Sequence, residues 1–313
     1  MNTSAQNLIS DGAKHWQREG WAVVDGLLPA EVCRAALDEL IAASATAMAK
    51  PGPVRRPDQQ DTEVRFRGRQ FDGTTLFPFP GAPTVNRLFV HPLIVGLAAA
   101  CLATTDLRLY QSRVWSKYGG HTNYEQPHHR DVNHSLVPTR NGPGFGHIEM
   151  FVYLHDVEEG AGAPMVAQGF ADKLGGVGTQ PIRTRDEAPE LYANEVAIAG
   201  SAGSVFAYRS DVWHRGTDMP MGGERHVLVL SFRPASIDWI GFDAHQPLVS
   251  LPDWIAFAEG STPDDLALFG VPRPGHEFWN DDVIDAFARH YRHLDVTPWR
   301  DALIQQRPPA SNE

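Results

Sequence analysis

The sequence is poor in cysteine, with only Cys33 and Cys101 in 313 residues. Two cysteines cannot build the disulfide framework of a small secreted domain. Both lie in apolar segments with a helical pattern, so we expect two buried, reduced thiols that take no part in catalysis.

Positive charge and long hydrophobic runs are also scarce. The formal net charge is −11, which argues against a nucleic-acid binder because phosphate binding needs concentrated positive surface. The longest apolar stretch, residues 92–105, is too short to cross a bilayer, and residues 1–6 lack the basic start of a secretory signal. We therefore expect a globular cytoplasmic protein that binds neither nucleic acid nor membrane.

Helical patterns flank a middle region of strand patterns. Helices are predicted over residues 11–18, from 29 to about 48 and over 92–102, with a short strand in "GWAVVDG". Strands with Gly-rich connections are predicted over residues 107–118, 147–157, 163–168, 203–208 and 225–233. Helices and Pro-rich turns follow from residue 238. This order favours a mainly β sandwich or barrel with helical additions.

We expect one domain over residues 1–313. Its parts are N-terminal helices with a lid loop (1–105), a β core (106–235) and a C-terminal helical extension (236–313). The lid is predicted because residues 51–83 are rich in Pro, Gly, Arg and Asp without a regular period, and long irregular connections are often functional. An arginine cluster within it would suit an anionic substrate, although a solvated surface is the simpler interpretation: Arg55, Arg56, Arg65, Arg67 and Arg69.

Residues 147–155 alternate between two faces. One face is apolar and consists of Ile148, Met150, Val152 and Leu154. The other is mixed and consists of His147, Glu149, Phe151, Tyr153 and His155. This pattern is typical of a strand with helices behind it and a polar cavity in front.

Possible metal ligands are concentrated in "QPHHRDVNHS", residues 126–135. In an extended segment, side chains two apart project to the same side, so His129 and Asp131 can share a metal while His128 and Arg130 point away. Non-haem Fe(II) oxygenases use two histidines and one carboxylate and leave positions open for a cosubstrate and O₂. The spacing alone is a weak signal, because the chain has 14 histidines.

A third ligand is available in "DVWHRGT", where His214 follows a predicted strand and a turn. Arg225 then begins an apolar strand, and a buried arginine is costly unless it meets an anion that fits its planar guanidinium. A structural salt bridge is the alternative. Together these residues are the parts needed to hold iron and a dicarboxylate.

With these residues, the sequence resembles the phytanoyl-CoA dioxygenase family of Fe(II)/2-oxoglutarate-dependent oxygenases. The resemblance runs over roughly residues 15–235, through "REGWAVVDGLLPAEVC", "NRLFVHPLIVGLAAACL" and "WHRGTDMPMGGERHVLVLSFR". It implies a double-stranded β-helix, the cupin-like jelly roll, with helices packed on the major sheet. It also implies that His129, Asp131 and His214 bind Fe(II), and that Arg225 binds the C5 carboxylate of 2-oxoglutarate.

Within that family, "QSRV" at residues 111–114 resembles a strand of ectoine hydroxylases. The likeness implies that Gln111 and Arg113 face the cavity beside cosubstrate and substrate, with Arg113 the second choice for the carboxylate partner. Trp115 stands where those enzymes carry an asparagine, so ectoine is not the expected substrate. Core packing is the simpler interpretation of Trp115, but aromatic walls are common in ligand cavities, and a substrate-binding role is assigned to it on that ground. Gly216 stands where a hydroxyl residue often assists the cosubstrate, and Thr217 is expected to supply that hydroxyl.

The resemblance implies hydroxylation of an unactivated C–H bond in a small, possibly anionic molecule, with consumption of O₂ and release of succinate and CO₂. The Asp131 carboxylate favours hydroxylation over halogenation, because related halogenases carry a small residue there. Desaturation, ring formation or epimerisation would use the same triad. The alternative class is a non-catalytic or differently metallated cupin-like binding protein, against which Arg225 argues.

Overall fold

A computed structural model describes residues 3–47, 74–119, 125–131, 147–169, 182–237 and 251–306. The Cα positions form two compact units, Met1–Asp243 and Ala244–Glu313, and the expectation of a single domain stays a prediction. The arginine cluster of residues 55–69, most of the predicted lid and His134 lie outside the described residues.

The N-terminal part of the first unit is mainly helical. Its elements are α1 (Thr3–Glu19), β1 (Trp21–Val24), α2 (Ala30–Ala47), β2 (Thr74–Leu76), α3 (Pro83–Leu88) and α4 (Pro92–Leu102). The prediction that the first helix begins at Asp11 was wrong, because α1 begins at Thr3. Ile9 is buried with Ala13 and Trp16 at helical spacing, so the apolar face that contacts α4 and β1 extends further towards the N-terminus.

Helices α3 and α4 lie within one apolar stretch that is long enough to cross a membrane. The stretch Pro83–Leu102 has 20 residues and a mean hydropathy of 1.7. Within it, 50% of an 18-residue segment is buried. The chain divides it into two short helices, and α4 buries Ile94, Leu97, Ala98 and Cys101. It therefore forms part of the protein core.

The β core consists of two antiparallel sheets. Its further strands are β3 (Leu107–Tyr118), β4 (His128–His129), β5 (Ile148–Tyr153), β6 (Met165–Ala167), β7 (Ile182–Arg183), β8 (Glu195–Ala197), β9 (Val205–Tyr208), β10 (His214–Arg215) and β11 (Glu224–Pro234), with α5 (Pro189–Ala193) before β8. The major sheet has the order β1-β9-β5-β11-β3-β2, and the minor sheet β7-β4-β10-β6-β8. A buried cluster with residues from both sheets lies between them. This is the predicted jelly roll.

Strand register places one set of side chains on the inner face of the major sheet. Lys117 pairs with Arg225, Arg113 with Val229, and Gln111 with Ser231, which also pairs with Glu149 of β5. Because strand residues two apart share a face, the inner face carries polar groups at both ends and apolar groups between them. Helix α4 contacts β5 and β11, which agrees with the prediction of a strand with helices behind it.

The second unit is helical. It contains α6 (Pro252–Glu259), α7 (Pro263–Ala267), α8 (Asp281–His290) and α9 (Thr297–Gln306). Trp254, Trp279 and Trp299 are buried in it, and the indole N–H of Trp254 donates to the Tyr291 hydroxyl at 2.9 Å. These tryptophans bury large apolar surfaces while their N–H groups keep hydrogen-bond partners.

Candidate active site

Three potential metal ligands converge on the minor sheet. His129 of β4 and His214 of β10 are cross-strand partners, and Asp131 follows β4 by two residues. One ligand atom from each residue lies within 4.8 Å of the others. Asp131 Oδ1 is 3.8 Å from His129 Nε2, and Oδ2 is 3.4 Å from His214 Nε2. The structure thus brings His214 next to His129 and Asp131, from which it is remote in sequence.

Backbone carbonyls orient both imidazoles. The Nδ1 atom of His129 bonds to the carbonyl of Pro127 at 3.1 Å, and that of His214 bonds to the carbonyl of Val212 at 3.0 Å. With Nδ1–H donating, each ring presents the Nε2 lone pair to the shared centre. Such bonds fix the tautomer that a metal-binding histidine needs.

Asp131 is held at its backbone and at its carboxylate. Its N–H donates to the Ser210 carbonyl at 3.0 Å, and the Tyr208 hydroxyl donates to Oδ2 at 2.9 Å. The adjoining turn is fixed by a buried bidentate pair, in which Arg209 donates to Asp211 at 2.9 and 3.1 Å. The carboxylate is therefore placed by the turn that leads into β10.

The two imidazoles have different proton affinities. Burial, with a contribution from His214, lowers the pKa of His129 to about 4 against the opposing charge of Asp131. Burial also acts to lower the pKa of His214, but the charge and hydrogen bond of Asp131 outweigh it and raise that pKa. His129 is therefore neutral near pH 7, whereas a metal binding at His214 competes with a proton.

The neighbouring side chains of β4 and β10 point away from this centre. His128 Nε2 bonds to Glu195 Oε2 at 3.1 Å, and Arg130 lies over the Trp213 ring at 4.8 Å. Arg215 donates to both carboxylate oxygens of Glu195 at 2.7 Å. These contacts hold the side of β4 and β10 that faces away from the three potential ligands. They agree with the prediction that His128 and Arg130 face away from His129 and Asp131.

Two buried cations lie opposite each other on the inner face of the major sheet. Arg225 is 1% exposed and Lys117 is 0% exposed. Arg225 Nη1 donates to the carbonyl of Gly162, while Arg225 Nε and Lys117 Nζ have no hydrogen-bond partner among the described residues. In the same part of the chain, no carboxylate forms a salt bridge with either side chain. The pair is electrostatically costly unless an anion binds between them.

The sequence matches the family model described as phytanoyl-CoA dioxygenase (PhyH) over residues 16–226, a range that includes the triad and both cations. The chain belongs to the phytanoyl-CoA dioxygenase family. The resemblance stated above is thereby confirmed. Comparison of the sequence with curated proteins found no match.

Solved structures of similar fold share little sequence with this family member. The α-ketoglutarate-dependent carbocyclase SnoK from nogalamycin biosynthesis has a TM-score of 0.56 and 16% identity, covering 79% of this chain and 92% of its own. The epimerase SnoN, solved with Fe³⁺, α-ketoglutarate and nogalamycin RO, has a TM-score of 0.52 and 19% identity, covering 74% and 85%. AviO1 from Streptomyces viridochromogenes Tue57 has a TM-score of 0.50 and 16% identity, covering 72% and 95%. These likenesses confirm the jelly-roll fold.

In this phytanoyl-CoA dioxygenase family protein, Gln111 and Arg113 belong to a polar network at the other end of the inner face. Hydrogen bonding assigns the Gln111 amide so that its oxygen accepts from Arg113 Nε and Nη2, each at 3.2 Å, and its nitrogen donates to Glu149 Oε2 at 3.1 Å. Glu149 is 1% exposed and also accepts from Ser231 Oγ and, at 2.7 Å, from the Tyr110 hydroxyl. Arg113 is thus hydrogen-bonded to Gln111. It lies four residues from Lys117 along β3, which corresponds to about 13 Å between their backbone positions at the usual strand rise.

Trp115 and Thr217 lie nearer the two cations. Trp115 packs edge-to-face against Phe151, with ring centroids 6.3 Å apart. The Thr217 hydroxyl donates to the carbonyl of Ala163 at 2.7 Å. Their expected roles in binding substrate and cosubstrate stay predictions.

Sequence reasoning did not select Tyr208 or Lys117. Strand alternation could have indicated both residues. Lys117 lies on the same face of β3 as Gln111, Arg113 and Trp115, and Tyr208 lies on the same face of β9 as Phe206. The pairing of strands that are distant in sequence gives these residues their neighbours, and no single segment contains that information.

Proposed function

We propose that this protein is an Fe(II)- and 2-oxoglutarate-dependent dioxygenase that hydroxylates an unactivated C–H bond of a small organic molecule. The main support is the convergence of His129, Asp131 and His214 within 4.8 Å. Membership of the family supports the same conclusion. We further propose that the protein acts in the cytoplasm.

The residues present fit both groups that this chemistry needs. Two imidazoles and one carboxylate match the donor set of the facial triad of non-haem Fe(II) oxygenases. The buried guanidinium of Arg225 has no carboxylate partner among the described residues, so a ligand carboxylate would compensate its charge. A plain metal-binding jelly roll would not need such a guanidinium, which argues against the alternative of a non-catalytic or differently metallated protein.

When bound, iron with 2-oxoglutarate supplies the oxidation of a C–H bond by O₂, in which 2-oxoglutarate is converted to succinate and CO₂. His129, Asp131 and His214 would hold the iron. Tyr208 holds the Asp131 carboxylate in place, and the Val212 carbonyl holds the His214 ring through Nδ1. Arg225 would bind the far carboxylate of the cosubstrate. Buried Phe151, Val227 and Val229 exclude water from the space between the sheets.

Hydroxylation balances as substrate, 2-oxoglutarate and O₂ giving alcohol, succinate and CO₂. The carboxylate of Asp131 supports this outcome over halogenation, since a halide would need that position. The epimerase SnoN and the carbocyclase SnoK have similar folds, so analysis of the organic product decides between hydroxylation, epimerisation, cyclisation and desaturation. The polar network of Arg113, Gln111 and Glu149 supports a substrate with charged or hydrogen-bonding groups.

The decisive experiment adds Fe(II) and 2-oxoglutarate to the purified protein without oxygen. We expect the weak visible charge-transfer band of chelated 2-oxoglutarate, and its absence from folded, iron-loaded protein would overturn the proposal. Asp131→Ala should abolish succinate formation in a screen of small-molecule substrates. Asp186→Ala, which removes an exposed carboxylate, is the matched control and should remain active.

A further inference from the structure

A carboxylate on the outer side of the minor sheet links the two strands that carry the histidines of the proposed metal site. Glu195 of β8 accepts a hydrogen bond from His128 of β4, with 3.1 Å between His128 Nε2 and Glu195 Oε2. It accepts two more from Arg215 of β10, each at 2.7 Å. His128 directly precedes His129 in the chain, and Arg215 directly follows His214. One carboxylate thus contacts the immediate neighbours of both histidines, and we call Glu195, His128 and Arg215 the outer bridge.

Strands β4 and β10 share few backbone contacts that could hold them together. Each has two residues, and the register between them consists of one residue pair in the described part of the chain. Beyond the strand ends, the Gln126 N–H donates to the Gly216 carbonyl and the Asp131 N–H to the Ser210 carbonyl, each at 3.0 Å. An antiparallel pair of ordinary length is held by a ladder of such bonds. Side-chain contacts therefore carry a larger share of the restraint here.

The outer bridge consists of buried groups in a fixed geometry. The side chains of His128, Arg215 and Glu195 are 0%, 5% and 14% exposed. Nε and Nη2 of Arg215 each meet a different oxygen of Glu195, which fixes both the distance and the orientation of the two side chains. Burial acts to raise the pKa of Glu195, but the hydrogen bond and charge of Arg215 outweigh it and lower that pKa. Glu195 is therefore ionised at neutral pH and accepts hydrogen bonds from both strands.

We propose that Glu195 is a positioning residue that sets the separation of His129 and His214, and thereby the affinity of the site for Fe(II). The inference rests on the proposed function and extends it to a side chain on the far side of the strands. The carbonyls of Pro127 and Val212 orient each ring on its own segment, whereas Glu195 holds one strand against the other. The bond lengths of a metal site vary by only about 0.2 Å, so a small shift between the strands weakens metal binding.

The experiment measures Fe(II) affinity without oxygen, by competition with a chelator of known strength. Glu195→Ala should weaken Fe(II) binding by about tenfold, the lower end of the range for residues that orient metal ligands. Glu195→Gln keeps an oxygen acceptor for Arg215 and should lose less. Glu187→Ala is the matched control, because it removes an exposed carboxylate that accepts from Thr184. The control should bind Fe(II) as the wild-type protein does.

A double variant separates positioning from a merely structural role. Glu195→Ala leaves the buried Arg215 with Glu125 as its remaining described carboxylate partner, so the thermal midpoint of the metal-free protein should fall. Adding Arg215→Met removes that poorly compensated charge and should restore part of the midpoint. Fe(II) affinity should stay about tenfold low in the double variant, because the link between the strands is still missing. Recovery of affinity together with the midpoint would overturn the proposal.

The outcomes distinguish this inference from the proposed function. Wild-type protein that binds no Fe(II), or that binds it and gives no band with 2-oxoglutarate, contradicts the oxygenase itself. Wild-type protein that binds both, beside a Glu195→Ala variant of equal Fe(II) affinity, contradicts only the role of Glu195. Failure of all three variants to fold would also contradict that role, because Glu195 would then be a requirement of the fold.

Discussion

At the scale of single residues, the phenol of Tyr208 donates a hydrogen bond that orients the carboxylate of Asp131, a proposed metal ligand. Burial, followed by the charge of Asp131, raises the pKa of Tyr208 well above its usual range. The phenol therefore stays protonated at every physiological pH and donates its hydrogen to Asp131 Oδ2. A carboxylate oriented in this way loses less entropy when it binds a metal.

Tyr208→Phe should weaken Fe(II) binding by about tenfold, the lower end of the range for lost contacts of this kind. The affinity is measured by competition with a chelator of known strength. Tyr118→Phe removes a half-buried phenol from the same sheet and is the control. Unchanged affinity in Tyr208→Phe would show that the bond from the Asp131 N–H to Ser210 is sufficient to place the carboxylate.

The site residues that could be predicted from the sequence are those whose chemistry is evident from their own segment, without knowledge of which strands pair with it. His129 and Asp131 have a two-residue spacing, His214 follows a predicted strand, and Arg225 enters an apolar strand. Each signal is weak alone, and the family resemblance of the combination assigns their roles. Lys117 and Tyr208 became informative only when cross-strand pairing gave each a partner. A lysine near the end of a strand is usually solvated, so its burial was not predictable from the segment alone.

At the scale of elements, Gly203 fixes the loop before α2 to the major sheet. It precedes β9, its N–H donates to the Tyr153 carbonyl at 2.8 Å, and its carbonyl accepts from the Leu28 N–H at 3.0 Å. Its φ is +89°, and a Cβ atom there would lie 2.1 Å from the Leu28 carbonyl oxygen. Both the backbone conformation and the close approach require glycine.

Gly203→Ala should lower the free energy of unfolding by about 3 kcal/mol or more, since backbone strain adds to a clash with another backbone. Gly222 is a matched control, because its φ is +78° and a Cβ atom there would meet no described atom within 4 Å. Gly222→Ala should cost only about 1 kcal/mol. Urea denaturation of both variants measures the difference, and equal losses would contradict the role assigned to the Leu28 contact.

The longer elements were predictable because they contain a full period of their pattern. The predicted bounds of α4 and β3 agree with the structure, and those of α2 differ by one residue at each end. Strands β4, β7 and β10 have only two residues each, so alternation cannot reveal them. They form through pairing with strands remote in sequence, and two of them carry the histidines of the proposed metal site.

At the scale of the whole molecule, both cysteine thiols lie in the first unit, so their exposure measures the unfolding of that unit alone. Cys33 lies in α2 and Cys101 in α4, and both are buried. Burial, followed by the charge of Glu31, raises the pKa of Cys33 from an ordinary 9.0 to about 11, and burial raises that of Cys101 to about 12. Because the folded state disfavours the thiolates, stability is unaffected below about pH 9 and falls as pH rises towards 11 to 12.

Both thiols should therefore resist a thiol-specific reagent at pH 8 in the native protein and react when the first unit unfolds. If the chain is one cooperative domain, as the sequence predicts, thiol exposure and far-ultraviolet circular dichroism will have the same urea midpoint. An earlier loss of helical signal without thiol reaction would show that Ala244–Glu313 unfolds separately, since both cysteines precede it. Rapid reaction of either thiol at pH 8 without denaturant would contradict its burial, and Cys33→Ser and Cys101→Ser would identify which one reacted.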